Sequence, residues 1–179
     1  MSRRTLKLVL ATGLLSLLAV AGVAVARGGG DDVRERLTGY EEVPAISTAA
    51  KGTFDARISR FAKKIEYRLS YEGLTGTVAQ AHIHFGQKDV NGNISAFLCS
   101  NLSNGPAGTQ ACPQGKATIT GTIEPEDVIG PTGQGIDPGE FDELVAAIRA
   151  GMSYANVHSS MFPAGEIRAQ LGDRRGDRD

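Results

Sequence analysis

From Lys64 to Tyr71 polar and apolar residues alternate without a break: Ile65, Tyr67, Leu69 and Tyr71 against Lys64, Glu66, Arg68 and Ser70. Successive side chains of a strand point to opposite faces. This period of two therefore predicts an antiparallel strand with one face in a core and the other in water. A helix of the same residues would scatter the apolar ones around its axis. Gly73-Leu74-Thr75-Gly76 ends the run, and further strands are expected over Val78–Phe85, Ile94–Cys99, Lys116–Ile123, Ser153–His158 and Glu166–Leu171. Asn91-Gly92 reads as a tight hairpin turn. Several short strands with turn signals between them predict an all-β sandwich or barrel. One helix interrupts it. Asp137-Pro138-Gly139-Glu140 resembles a capping box with Asp137 as N-cap; Phe141, Leu144, Val145 and Ile148 then share a face, and Gly151 follows as the terminator. It is expected to plug one end of the β structure.

The ends of the chain carry other information. Arg3, Arg4 and Lys7 precede an uncharged run, Leu8–Ala26, that closes on Ala24-Val25-Ala26. That order predicts a signal peptide over residues 1–26. The same run is long enough to serve as a single transmembrane anchor if it is not cleaved. Arg3-Arg4 fits a twin-arginine export signal or an ordinary basic n-region. Residues 27–36 read as a flexible linker, 37–172 as the folded domain and 173–179 as a charged tail. Removing the signal segment, with its three positive charges, takes the formal net charge from −1 to −4. An acidic balance of this kind excludes nucleic acid as the expected partner. In an exported chain an isolated cysteine pair, Cys99 and Cys112, is expected to be a disulfide, with two free thiols as the alternative.

The chain has three histidines, His82, His84 and His158, and all fall in expected strands. His82 and His84 share a face, roughly 7 Å apart along the strand. Ala81, Ile83 and Phe85 then point to the core. By the same phase Ala155 and Val157 point inward, while Tyr154, Asn156 and His158 point outward. If the two strands are neighbours, three imidazoles meet on the outer face and can bind one metal ion with a position open to solvent. Three neutral imidazoles suit Cu, Zn, Fe or Ni, and the affinity order favours copper. The alternative is three exposed or hydrogen-bonded histidines without an ion. Gln80, Asn156 and Glu166 are candidates for holding the imidazole N–H groups, and Glu166 can equally pair with a neighbouring strand. There is no G-x-S-x-G nucleophile motif. Asp89–Asn93 lacks the ligand order of a calcium loop, and the glycines of Gly130–Gly135 read as loop glycines.

Three segments in order resemble one family. Leu37-Thr38-Gly39-Tyr40-Glu41-Glu42-Val43-Pro44, Ala81-His82-Ile83-His84-Phe85-Gly86, and Tyr154-Ala155-Asn156-Val157-His158-Ser159 with Pro163-Ala164-Gly165-Glu166-Ile167-Arg168 are similar to the opening, central and closing motifs of CHRD (chordin-type) domains. Ala169 stands where that family usually has Gly. Such domains occur in a vertebrate growth-factor antagonist and in many exported microbial proteins. A weaker resemblance links H-x-H on a strand to the copper site of copper–zinc superoxide dismutases. It implies an antiparallel Greek-key β-sandwich or barrel, here with one short packing helix. It also implies His82, His84 and His158 as copper ligands and Arg168 as the catalytic guide for an anion. Three histidines are too few for the zinc site of those enzymes, and a fourth copper ligand would be water, Tyr154 or Met161. The expected function is an exported copper protein, periplasmic, in the cell envelope or secreted, acting on superoxide. The rivals are a non-enzymatic binding module and a copper carrier, for which Met161 would suit Cu(I). Membrane contact is expected only through an uncleaved signal segment.

Overall fold

The computed structural model describes residues 31–172. The expected signal peptide, the first part of the expected linker and the charged tail lie outside the described residues. Eight strands follow one another: β1 (Asp31–Thr38), β2 (Lys51–Ser59), β3 (Lys64–Glu72), β4 (Val78–Phe85), β5 (Asn93–Ser100), β6 (Ala117–Ile123), β7 (Ser153–Ser159) and β8 (Ile167–Leu171). A helix, α1 (Phe141–Arg149), lies between β6 and β7. The strands form one antiparallel sheet in the order β5-β4-β7-β8-β1-β2-β3-β6. The sheet curls into a nearly closed barrel around one apolar cluster, to which Phe54, Leu69, Ile83, Leu98, Val157 and Ile167 contribute.

The seam of the barrel lies between the edge strands β5 and β6. Side chains bridge it. Gln110 Nε2 donates to Leu98 O of β5 at 3.2 Å and to Thr120 O of β6 at 3.1 Å. The Tyr67 hydroxyl donates to Leu98 O at 2.8 Å. Gly121 makes room for that ring, since a Cβ there would lie 2.5 Å from the Tyr67 oxygen. The Cys99–Cys112 disulfide, with Cα atoms 5.1 Å apart, ties the intervening loop to β5. Round the barrel β3, β6, β5 and β4 lie in that order, the Greek-key arrangement.

The expected strands are present, and two more were not among them: β1, and β2, where Phe54, Ala56 and Ile58 alternate with Thr53, Asp55, Arg57 and Ser59 as legibly as in β3. The stretch read as linker is strand from Asp31 onward. Val33 and Leu37 are buried there, but Glu35 occupies the inward phase between them and masks the alternation. Asn91-Gly92 is not a two-residue hairpin turn. The β4–β5 connection spans 86–92 and turns at Asp89, whose φ is +62°. The expected capping box is also displaced. Glu140 Oε2 does accept from Asp137 N at 2.7 Å, but Gly139 has φ +88°, which no helix can contain, so α1 starts only at Phe141. The C-terminus follows expectation. Gly151, at φ +69°, donates to Ile148 O and Met152 donates to Ala147 O, which completes a Schellman motif. Phe141, Leu144, Val145 and Ile148 are buried in the barrel core.

Candidate metal centre

β4 and β7 are neighbours, and their register sets Gln80 against His158, His82 against Asn156, and His84 against Tyr154. Paired residues of antiparallel strands share a face. The three histidines therefore meet, with one ring nitrogen from each lying within 4.8 Å of the others. Their hydrogen bonds define the tautomers. His84 Nδ1 lies 3.0 Å from Gly92 O and His158 Nδ1 lies 3.0 Å from Pro163 O. A carbonyl only accepts, so both Nδ1 atoms carry the proton and both Nε2 atoms carry a lone pair. His158 Nε2 faces His82 Nδ1 at 3.1 Å, which makes His82 Nδ1 the donor. His82 Nε2 and His84 Nε2 are left buried without a hydrogen-bond partner. Burial also keeps the rings neutral. It pushes His82 down to about 2, helped by the neighbouring histidines, and His84 down to about 4 against the pull of the Gly92 carbonyl. It lowers His158 as well, opposed by the Pro163 carbonyl.

The expected solvent-facing cluster is covered. His82, His84 and His158 are 0 %, 7 % and 5 % exposed, although Ile83 does point to the core as the alternation requires. Connections 39–50, 86–92 and 160–166 cover the histidine face, through Glu42, Gly92 and Pro163 among others, and every residue of β7 is buried. Asn91 Nδ2 donates to Val43 O at 2.8 Å and joins the first two of them. Glu42 packs against Gly165 so tightly that a Cβ there would lie 2.5 Å from its Oε1. That Oε1 has no hydrogen-bond partner. Burial raises the Glu42 carboxyl to about 7, although Arg168 opposes the shift.

Arg168 is placed differently from an anion guide. It is 1 % exposed. Its guanidinium donates to Val90 O at 2.9 Å, Gln87 O at 3.3 Å and Asn91 Oδ1 at 3.3 Å, and so clamps the 86–92 connection. Its Cζ lies 3.3 Å from the centre of the Tyr154 ring. On the β4 side the same ring stacks on His84, 4.7 Å between centroids and 3° from parallel. A column of Arg168, Tyr154 and His84 thus fixes the orientation of one imidazole.

The other candidates divide. Asn156 lies on the histidine face; its buried Oδ1 has no partner while His84 is neutral, and its side chain favours the protonated ring, opposing with Gly92 the fall of the His84 pKa. Glu166 instead accepts from Thr48 Oγ1 at 2.8 Å and from Thr75 N at 2.8 and 3.0 Å. Gln80 accepts from Asn104 Nδ2. Neither holds an imidazole, because backbone carbonyls of the covering loops do so. The Tyr154 hydroxyl is engaged with Gly92 at 3.2 Å, and Met161 is 60 % exposed on its loop. The residues that sequence reasoning passed over are Gly92, Pro163, Glu42 and Phe97. Three of them lie in recognisable motifs, N-G, P-x-G and E-V-P, but serve through loop contacts that spacing does not encode. Phe97 is opposite His82 on β5, with ring centroids 4.5 Å apart.

The chain matches the family model of the CHRD domain over residues 33–171. No curated protein and no solved structure matches it.

Proposed function

The chain belongs to the CHRD domain family, and from that premise we propose that it is an exported protein whose His82, His84 and His158 hold one copper ion. The observation that carries this reading is the pair of buried imidazole nitrogens, His82 Nε2 and His84 Nε2, that have lone pairs and no partner. Leaving such groups unmatched in a core costs about 1–3 kcal/mol each, and a bound cation relieves that cost. His84 and His158 are fixed through Nδ1 by backbone carbonyls, and a bound ion would take the His158 Nε2 lone pair in place of the hydrogen bond from His82 Nδ1. Three nitrogen donors suit copper over the other common divalent ions. Export rests on the basic n-region, apolar run and small-residue site of residues 1–26.

Copper would supply one-electron redox chemistry. What the chain supplies is retention: it orients three imidazoles, excludes water and keeps protons off the nitrogens. Burial of the triad and the engagement of Arg168 with the 86–92 connection favour holding the ion over turning superoxide over. The test is titration of metal-free protein with Cu(II) and Zn(II) against a competing chelator, alongside a superoxide consumption assay. One copper per chain is expected, with sharply weaker binding in His158→Ala and no superoxide turnover beyond that of the chelated ion. Equal copper affinity in wild type and His158→Ala removes the triad. Rapid turnover that falls in Arg168→Ala restores the dismutase reading.

A further inference from the structure

The triad is enclosed on three sides by backbone that is tied down. The 86–92 connection is held by Arg168 and by Gln170, whose Nε2 donates to Gly86 O at 2.9 Å. The 160–166 connection is held by Ser160 N to Thr77 O at 2.8 Å, Ser159 N to Phe162 O at 3.3 Å and the packing of Glu42 on Gly165. β7 is an interior strand paired on both sides. Admitting an ion from any of these directions requires several hydrogen bonds to break together.

The fourth side differs. There β5 is an edge strand, and the side chain beside His82 is Phe97, half-buried and set edge-on to the imidazole at 87°. The other side of Phe97 borders a groove of about 400 Å³ along the barrel seam, which Pro106, Gly108, Gln110 and Thr120 also line. One apolar ring thus stands between His82 and an open groove, and rotating it breaks no hydrogen bond. We propose that Phe97 is the access gate of the metal centre, through which the ion and any small ligand reach His82 from the seam. The ring sets the rate of exchange. The three imidazoles, which it does not alter, set the affinity. This inference rests on the metal reading above for its function but not for its geometry.

Two measurements on the full chain separate the two. In the first, copper loading and its stripping by a chelator are followed by stopped flow for wild type, Phe97→Leu and Phe97→Ala. Both rates should rise together, by about tenfold or more in Phe97→Ala and by less in Phe97→Leu, with the dissociation constant nearly unchanged. In the second, metal-free protein is treated with diethyl pyrocarbonate, and His82 modification is followed by mass spectrometry. Phe97→Ala should again be faster, while Asn91→Ala, which loosens the 86–92 connection, should match wild type. Unchanged rates in both Phe97 variants overturn the gate, as does acceleration confined to Asn91→Ala. If wild type binds no copper while Phe97→Ala still speeds His82 modification, the gate stands and the metal reading falls.

Discussion

Acidifying the metal-free protein from pH 7 to pH 5 should lower its stability by at least about 2 kcal/mol, and that of the Glu42→Gln variant by at least about 4 kcal/mol. Unfolded histidine takes up its proton near 6.5, whereas folded His82 and His84 do so only near 2 and 4. Across this interval the unfolded chain binds protons that the folded chain refuses. The stability from neutral imidazoles is therefore intact above 6.5 and is lost as pH falls. Each histidine costs about 2 kcal/mol over the interval, and His158, lowered in the same direction, adds to the loss. Glu42 has the opposite sign. Its carboxyl rises from 4.5 to about 7, so its stabilisation is complete below 4.5 and is lost as pH rises through 7. Between pH 7 and 5 it returns about 2 kcal/mol, and a glutamine, which does not titrate, returns none. Urea unfolding at pH 5, 6 and 7, with chelator present, reads the difference directly. A Glu42→Gln profile no steeper than wild type refutes the assignment of Glu42. A flat profile in both proteins refutes the burial of neutral imidazoles.

Replacing Cys99 and Cys112 together by Ala removes a cross-link with a sequence separation of 13. It should cost about 3 kcal/mol of stability, or roughly 6–12 °C in Tm, measured by thermal unfolding; a loss below about 1 kcal/mol would show that Gln110 and Tyr67 hold the seam unaided. In Gly92→Ala the new Cβ collides with the Phe85 carbonyl oxygen, so the backbone must move and carry Gly92 O away from His84. Copper affinity should fall by about 10–100-fold in a competition titration, and unchanged affinity would show that His84 is oriented by its stack on Tyr154 alone.

Much of this molecule follows from local pattern. The alternation at Ile65, Tyr67, Leu69 and Tyr71 defines β3 and its buried face, and the spacing of Phe141, Leu144, Val145 and Ile148 defines α1. The phase of His82-Ile83-His84 sends Ile83 to the core and both histidines to the other side. These features were legible because burial of one face imposes a period on the residues of a single element. β1 was not, since Glu35 breaks that period and pairing with β2 supplies what the pattern lacks. The adjacency of β4 and β7 brings His82 and His84 to His158, more than 70 positions away, and only the sheet order decides it. The same holds for the cover over the triad. Gly92, Pro163 and Glu42 act through loop backbone brought in from three distant connections, and their roles depend on contact, which spacing along the chain does not carry. Arg168 shows the limit most clearly: its motif placed it near the histidines, but only the fold directs its guanidinium into Gln87, Val90 and Asn91, because a buried cation takes the nearest carbonyls that can satisfy it.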